Sequence, residues 1–303
     1  MSSRRRYINR DLNVERISNN AGLLVESPLW DHRNNTLYWV DIHKSELWSW
    51  SKIDQVRLVA RFDGYVSGVW LARGGNLVVA CEGGIGVVNP ETGKFCHISG
   101  APNLDVTLRF NDGAVDKKGR LLLGTMGRTE ADYSRPVGEL YRISYDGQSE
   151  LLLTGLTISN GADWSRDGKI LFVADSMNRR ILTVPYEAKW PMVADECQNF
   201  PFPSMDGLPD GLCVRSDGAL VVASILSGQI LVLSSSGETL EEIDLPVSCP
   251  TACCFGGPDL STLFVTTSTH ILPPEHMEEL AGSPLALEGH GFGLQANIFG
   301  ELN

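Results

Sequence analysis

One hairpin recurs six times along this 303-residue chain, and any fold must accommodate it. The clearest copy, residues 159–175, reads SNGADWSRDGKILFVAD: a polar residue and a Gly, a short strand, the turn pair Asp167-Gly168, then a second strand. Other copies read SGVWLARGGNLVVAC from Ser67, NDGAVDKKGRLLLGT from Asn111 and DGLCVRSDGALVVAS from Asp210, with looser ones from Glu26 and Ala252. The apolar residues that open the second strand are Leu37, Leu77, Leu121, Ile170, Leu220 and Leu263. They fall roughly 40–50 residues apart, the period of four-stranded propeller blades. Further strand-like runs such as SELWSWSK and GELYRIS follow the hairpins and complete each unit. A β-sandwich would need no fixed period.

The expected fold is therefore all-β: a six-bladed β-propeller with a central metal site. Residues 14–303 form one domain, and residues 1–13 a flexible arm. A blade cannot cover its own two faces, so the ring must close, and residues 14–25 can supply the strand that completes the last blade. GFGLQANIF, near the C-terminus, reads as a final strand, and PPEHMEELAG as one short helix at most.

Composition narrows the partners. A formal charge of −12 repels phosphate backbones and argues against nucleic acid. The basic N-terminus has no apolar run behind it, and no later stretch is long enough to span a membrane, so no membrane partner is expected. Seven cysteines without a C-x-x-C pair read as reduced thiols in a cytoplasmic protein. Oligomeric state is not legible.

Equivalent positions of a propeller lie at one height around one axis. About ten residues before each anchor stand Glu26, Ser67, Asn111, Asn160, Asp210 and Cys253, at the start of the innermost strands. Singly, Asn111, Asn160 and Asp210 read as turn residues beside Gly. As a set they read as polar groups converging on the channel. Oxygen donors of Asp, Glu and Asn select hard divalent cations, Ca, Mg or Mn, and Zn also accepts such ligands. The histidines (32, 43, 97, 270, 276, 290) show no metal-ligand spacing; His32 reads as an exposed turn residue and His290 as loop. There is no G-x-S-x-G elbow.

ESPLW (26–30), RFNDGAVDKKGRLLLGTM (109–126), ISNGADWSRDGKILFVADS (158–176), PDGLCVRSDGALVVAS (209–224) and CCFGG (253–257) together resemble the SMP-30/gluconolactonase/regucalcin family across nearly the whole chain. The resemblance implies a six-bladed propeller that binds one divalent metal and hydrolyses a small-molecule sugar lactone. It places the metal ligands on Glu26, Asn160 and Asp210, and substrate contacts on Arg109 and Asn111. Animal members use a Glu beyond the G-T-M motif for substrate; here Thr129 stands at that position with Glu130 beside it, making Glu130 a candidate substrate contact. Asp210 is the expected general base, able to touch the metal with one oxygen and a water with the other. An isolated Arg109 would instead be expected to pair with Asp112 or Asp132. The competing functions are an organophosphate or other ester hydrolase on the same propeller, and a non-enzymatic calcium-binding or protein-binding propeller.

Overall fold

In KILFVAD the apolar residues do not alternate with polar ones, because both faces of that strand are covered. Leu171 and Val173 pack into one apolar cluster with Leu122, Leu140 and Leu152. Phe172 and Ala174 pack into another with Leu212, Leu220 and Val222. Successive side chains of a strand point to opposite faces, so one strand serves two interfaces. The computed structural model describes residues 13–98, 102, 104–271, 273 and 278–302, and within them this pattern repeats around a six-bladed β-propeller.

The first five blades are consecutive antiparallel sheets: Val25–Asp31, Thr36–Asp41, Glu46–Ser51 and Gln55–Arg61; Val66–Leu71, Leu77–Cys81, Gly84–Val88 and Phe95–His97; Leu108–Val115, Leu121–Gly127, Gly138–Ile143 and Ser149–Leu156; Ser159–Trp164, Ile170–Asp175, Arg180–Pro185 and Asn199–Pro201; Leu208–Val214, Leu220–Ile225, Gln229–Leu233 and Thr239–Asp244. Met192–Val193 adds a short parallel strand outside the third. The sixth blade takes Pro250–Gly256, Thr262–Thr267 and Leu285–Leu287 from the C-terminal end and Val14–Arg16 from the N-terminal end, with Val14 opposite Leu287. All six anchor leucines and isoleucine lie at or next to the start of a second strand. Each apolar cluster spans the interface between two neighbouring blades; the one that closes the ring joins Trp30, Leu37 and Trp39 to Phe264 and Ala286, with the Trp30 and Phe264 rings stacked at 5.6 Å.

One expectation for the C-terminal region is corrected. GFGLQANIF is not a strand of the last blade; that place is filled by Leu285–Leu287. It runs as an extended strap across the hairpin-turn end of the channel. Phe292 accepts from Ser216 N, Gly293 donates to Leu260, Asn297 Nδ2 donates to Val115 O at 2.7 Å, and Phe299 bridges Leu71 and Arg73. The strap therefore ties the fifth and sixth blades to the second and third. Of PPEHMEELAG, residues 274–277 lie outside the described residues, and residues 279–282 form turn. Of the predicted N-terminal arm, residues 1–12 likewise lie outside, as does His276. His32 is also corrected: it is half-buried, lines the channel under the strap, and its Nδ1 has no hydrogen-bond partner.

Phe299 is fully buried among Trp70, Leu121 and Ile143. Phe299→Ala is expected to lower the unfolding free energy by about 3–5 kcal/mol, the usual cost of emptying a buried Phe site. Urea denaturation measures this, and a loss below about 1 kcal/mol would mean the strap is not part of the cooperative core.

Candidate functional site

Every innermost strand carries a one-residue bulge at the same height. Pairing with the second strand slips between Glu26 and Leu29, Val66 and Gly68, Phe110 and Gly113, Ser159 and Ala162, Pro209 and Leu212, and Pro250 and Cys253. A bulge breaks the ladder and re-aims the side chains around it. Counted from these slips, the residue after the last ladder pair is Ser67, Asn111, Asn160, Asp210 or Thr251, and in the first blade Ser27; Glu26, one position earlier, joins the set through the partner strand, where Val25 opposite Asp41 matches Ser159 opposite Asp175. Cys253 is thus not the sixth member. Val214 with Leu220 is the last pair before the turn in the fifth blade, but in the sixth Phe255 with Leu263 is followed by Gly256 with Thr262, so the hairpin is two residues longer and ten residues counted back from the anchor stop two short of Thr251. Cys253 sits between the last two blades, its Sγ 3.8 Å from that of Cys213.

Nor do all equivalent side chains reach the axis. Ser67 Oγ donates to Phe110 O at 2.7 Å, and Thr251 Oγ1 to Val25 O at 2.6 Å, each pinning its blade to the next. Asn111 Nδ2 donates to Ser159 O at 3.1 Å. Asn160 donates to Ser176 Oγ at 3.1 Å, and its amide lies close enough to Asp210 to favour the ionised carboxylate.

The glycines after these residues are not turn glycines. Gly161 and Gly211 lie inside strands, and neither has a positive φ. A Cβ on Gly161 would come within 2.2 Å of Leu212 N, and one on Gly211 within 2.3 Å of the Ala252 Cβ. The inner strands approach too closely for any side chain there. In E-S-P the device differs: Ser27 has φ 52°, held by its Oγ accepting from Val69 N at 2.9 Å and donating to Val69 O at 3.2 Å. Buried carboxylates one strand away fix the approach. Asp175 accepts from Thr157 N at 2.9 Å, and Asp41 from Leu23 N at 3.0 Å, each three residues before a site side chain.

The result is a buried acidic cluster. Burial, then the charges of Asp210 and Asp112, push the Glu26 carboxyl well above the usual range. Burial, then Asp112, does the same to Asp210, against the opposing effect of the Asn160 amide. Asp112 is pushed up to about 6 by burial. None of the three is in a salt bridge among the described residues. The nearby cation is Arg109, itself buried, whose Nη1 donates to Phe110 O at 3.0 Å and Asn111 Oδ1 at 3.2 Å. It pairs with neither Asp112 nor Asp132; Asp132 is instead bound to Arg135 and Thr129. Two cavities flank the cluster. One, of about 440 Å³, occupies the channel beneath it and is lined by Asp112, Asp163, Trp30 and the strap. The other, of about 450 Å³, lies beside Arg109 on the opposite face with Tyr65, Glu82 and Arg128.

Among the described residues no three His, Cys, Asp or Glu side chains converge in metal-ligating geometry, so a cation here would need the Asn160 oxygen as well. The donor set fits one: two buried, mutually repelling carboxylates are the charge a divalent ion neutralises.

A family profile described as the SMP-30/Gluconolactonase/LRE-like region matches residues 24–269. The chain belongs to this family. It is similar to regucalcin of Sus scrofa, 30% identical over 271 residues and covering 88% of this chain and 91% of that one. A Bacillus subtilis relative carrying a provisional sugar lactone lactonase name is 29% identical over 82% of this chain and 84% of its own. Among solved structures, a calcium-binding regucalcin from Agrobacterium tumefaciens superposes with a TM-score of 0.85 over 95% of this chain and 97% of that one; at 22% identity this shows the shared fold.

Against the SMP-30/gluconolactonase pattern, the insertion after the third blade's second strand behaves differently from expectation. Glu130 is exposed on the 3-10 turn Glu130–Asp132 and does not reach the cluster; Thr129 binds Asp132. What the insertion brings near Arg109 is Tyr133. Tyr65, His43 and His270 also reach Arg109's surroundings and were missed, because they sit in loops that carry no repeat pattern. Asp112 was missed as a site residue although it is the second residue of N-D-G.

Asp163, lower in the channel, is pushed up to about 6 by burial despite accepting from Val214 N and Trp164 N. With Asp112 it makes the folded chain hold protons that the unfolded chain has already released. Stability from this source is full below the unfolded carboxylate pKa near 4 and lost as pH rises through about 6. With chelator present, unfolding free energy measured from pH 4.5 to 7 (roughly that window) is expected to fall, and Asp163→Asn to flatten the slope. A profile rising across that window in the parent would contradict an uncompensated acidic channel.

Proposed function

We propose that this chain opens a sugar lactone to its aldonic acid with one divalent cation held by Glu26, Asn160 and Asp210. The observation that carries the reading is the pair of buried carboxylates, Glu26 and Asp210, raised by burial and by neighbouring carboxylates, with an amide beside them and no ion-pair partner among the described residues. The oxygen-only donors favour Ca, Mg or Mn, with Zn also accepted. The family's gluconolactonase-like members support lactone hydrolysis as the reaction class.

A sugar lactone is a cyclic ester. A cation in this site would supply Lewis acidity toward the ester carbonyl. The remaining work falls to side chains. Arg109, a buried donor without a carboxylate partner, and Asn111 hold ring or hydroxyl oxygens of the substrate. Asp210 takes the proton from the attacking water; burial makes its ionised form a stronger base than a surface carboxylate. The water oxygen bonds to the carbonyl carbon, the acyl C–O bond of the ring breaks, and Asp210 returns the proton it took to the ring oxygen, which leaves as a hydroxyl.

Asp210→Asn keeps an oxygen donor but removes the base. Turnover of gluconolactone is expected to drop by about 10²-fold or more while metal affinity falls less. Acid release followed by pH indicator, with and without chelator, beside calorimetric metal titration, measures both. Near-normal turnover in the variant would remove Asp210 from the chemistry, and chelator-insensitive hydrolysis would remove the cation. Calcium should also raise the melting temperature more at pH 7.5 than at pH 5 (roughly the span over which the carboxylates ionise), because ionised Glu26 and Asp210 are what it stabilises.

A further inference from the structure

The family reading leaves one cluster at the site mouth unassigned. His43 lies in the loop between Thr36–Asp41 and Glu46–Ser51 of the first blade; His270 follows Thr262–Thr267 of the sixth, its backbone held by Leu23 O at 3.0 Å and Ser268 Oγ at 3.1 Å. Their rings meet with centroids 4.1 Å apart and planes tilted 44°. His43 also meets Tyr65 edge-on at 5.5 Å, and the Arg109 guanidinium lies over the same Tyr65 ring at 5.6 Å. Tyr133 lies near Arg109 on the far side. Loops of the sixth, first, second and third blades thus make one continuous wall: His270, His43, Tyr65, Arg109, Tyr133.

We propose that His43, backed by His270, is a specificity-determining residue that reads the hydroxylated tail of the lactone, so that the substrate is a polyhydroxy aldonolactone rather than a bare-ring or apolar ester. This deepens the lactonase reading and rests on it. A neutral imidazole offers one donor and one acceptor, and a phenol does the same, matching sugar hydroxyls that both give and take hydrogen bonds. Burial, then His270, then Arg109, pushes the His43 imidazole down to about 4, which keeps it neutral at ordinary pH and removes it as a counter-ion for a charged tail. Two imidazoles this close also disfavour double protonation. Neither His43 nor His270 makes a side-chain hydrogen bond within the described chain, so those nitrogens are available to a ligand.

The test is selective loss. Wild type, His43→Phe, His43→Gln and His270→Ala are titrated calorimetrically, in calcium, with glucono-δ-lactam, a non-hydrolysable polyhydroxy ring, and assayed on gluconolactone and δ-valerolactone. His43→Phe is expected to weaken lactam binding about five- to tenfold, the value of one polar contact. KM for gluconolactone should rise more than kcat falls, with a loss on gluconolactone at least about threefold larger than on valerolactone, and His43→Gln should recover part of it. Calcium titration and thermal melts of each variant separate misfolding from lost contacts. Equal losses on both lactones, unchanged lactam binding in His43→Phe, or no lactam binding by the wild type overturns the proposal. If the wild type binds the lactam yet hydrolyses no lactone, the lactonase reading fails, and the His43 dependence of lactam binding still decides the subsite.

Discussion

Each blade presents two apolar faces, and nothing but a neighbouring blade can cover them. Burying a strand such as Ile170–Asp175 between two clusters stabilises it by roughly 25 cal/mol per Å² on each side, but only if neighbours stand on both sides. An open row of blades would leave Trp39, Phe264 and Leu37 in water at its ends. Closure is therefore part of the same energy that folds each blade, and the chain closes twice. Val14–Arg16 completes the sixth sheet, and the C-terminal strap ties later blades to earlier ones across the channel. A ring locked in this way can carry unfavourable groups on its axis.

The axis uses that tolerance. Six bulges at one height hold six side chains at the channel wall. The fold makes these positions equivalent, and the residue type at each decides its task. A hydroxyl at Ser67 or Thr251 is short enough to reach the next blade's carbonyl and serves as a pin. The carboxylates at Glu26 and Asp210 have no backbone donor sufficient to hold their charge, so burial and repulsion raise them together. Asn160 does both, donating to Ser176, favouring ionised Asp210 and offering its oxygen. One geometric position thus yields structural pins on some blades and candidate ligands on others.

This explains what was readable beforehand. The period, the two-sided burial and the strand that completes the last blade are all encoded as pattern, since each copy obeys the same packing rule. Glu26, Asn160 and Asp210 were legible because they repeat at a fixed distance from an anchor. The same arithmetic failed at Cys253, where one extra ladder pair lengthens the hairpin by two residues and shifts the count from Thr251. Taken one at a time Asn160 and Asp210 also fit turns beside Gly161 and Gly211, because close approach of backbones and a positive φ leave the same residue in the sequence. The strap was taken for a strand since an extended segment spanning a channel has the apolar spacing of one, yet it pairs with its neighbours at isolated points.

The residues that remained invisible are the ones that loops deliver. Tyr133, Tyr65, His43 and His270 come from segments of unequal length in four blades, so no periodicity joins them. Glu130 stands exposed on the 3-10 turn Glu130–Asp132, while Tyr133, the residue after that turn, lies near Arg109. The strands therefore fix the buried polar centre, while loop length and turn type fix what surrounds it. A fold built this way can keep one reactive centre while its mouth changes. Around Arg109, accordingly, the strand repeat dictates only the arginine's own place, and the rings that meet there, Tyr65 and His43, are set by loops free to differ in length.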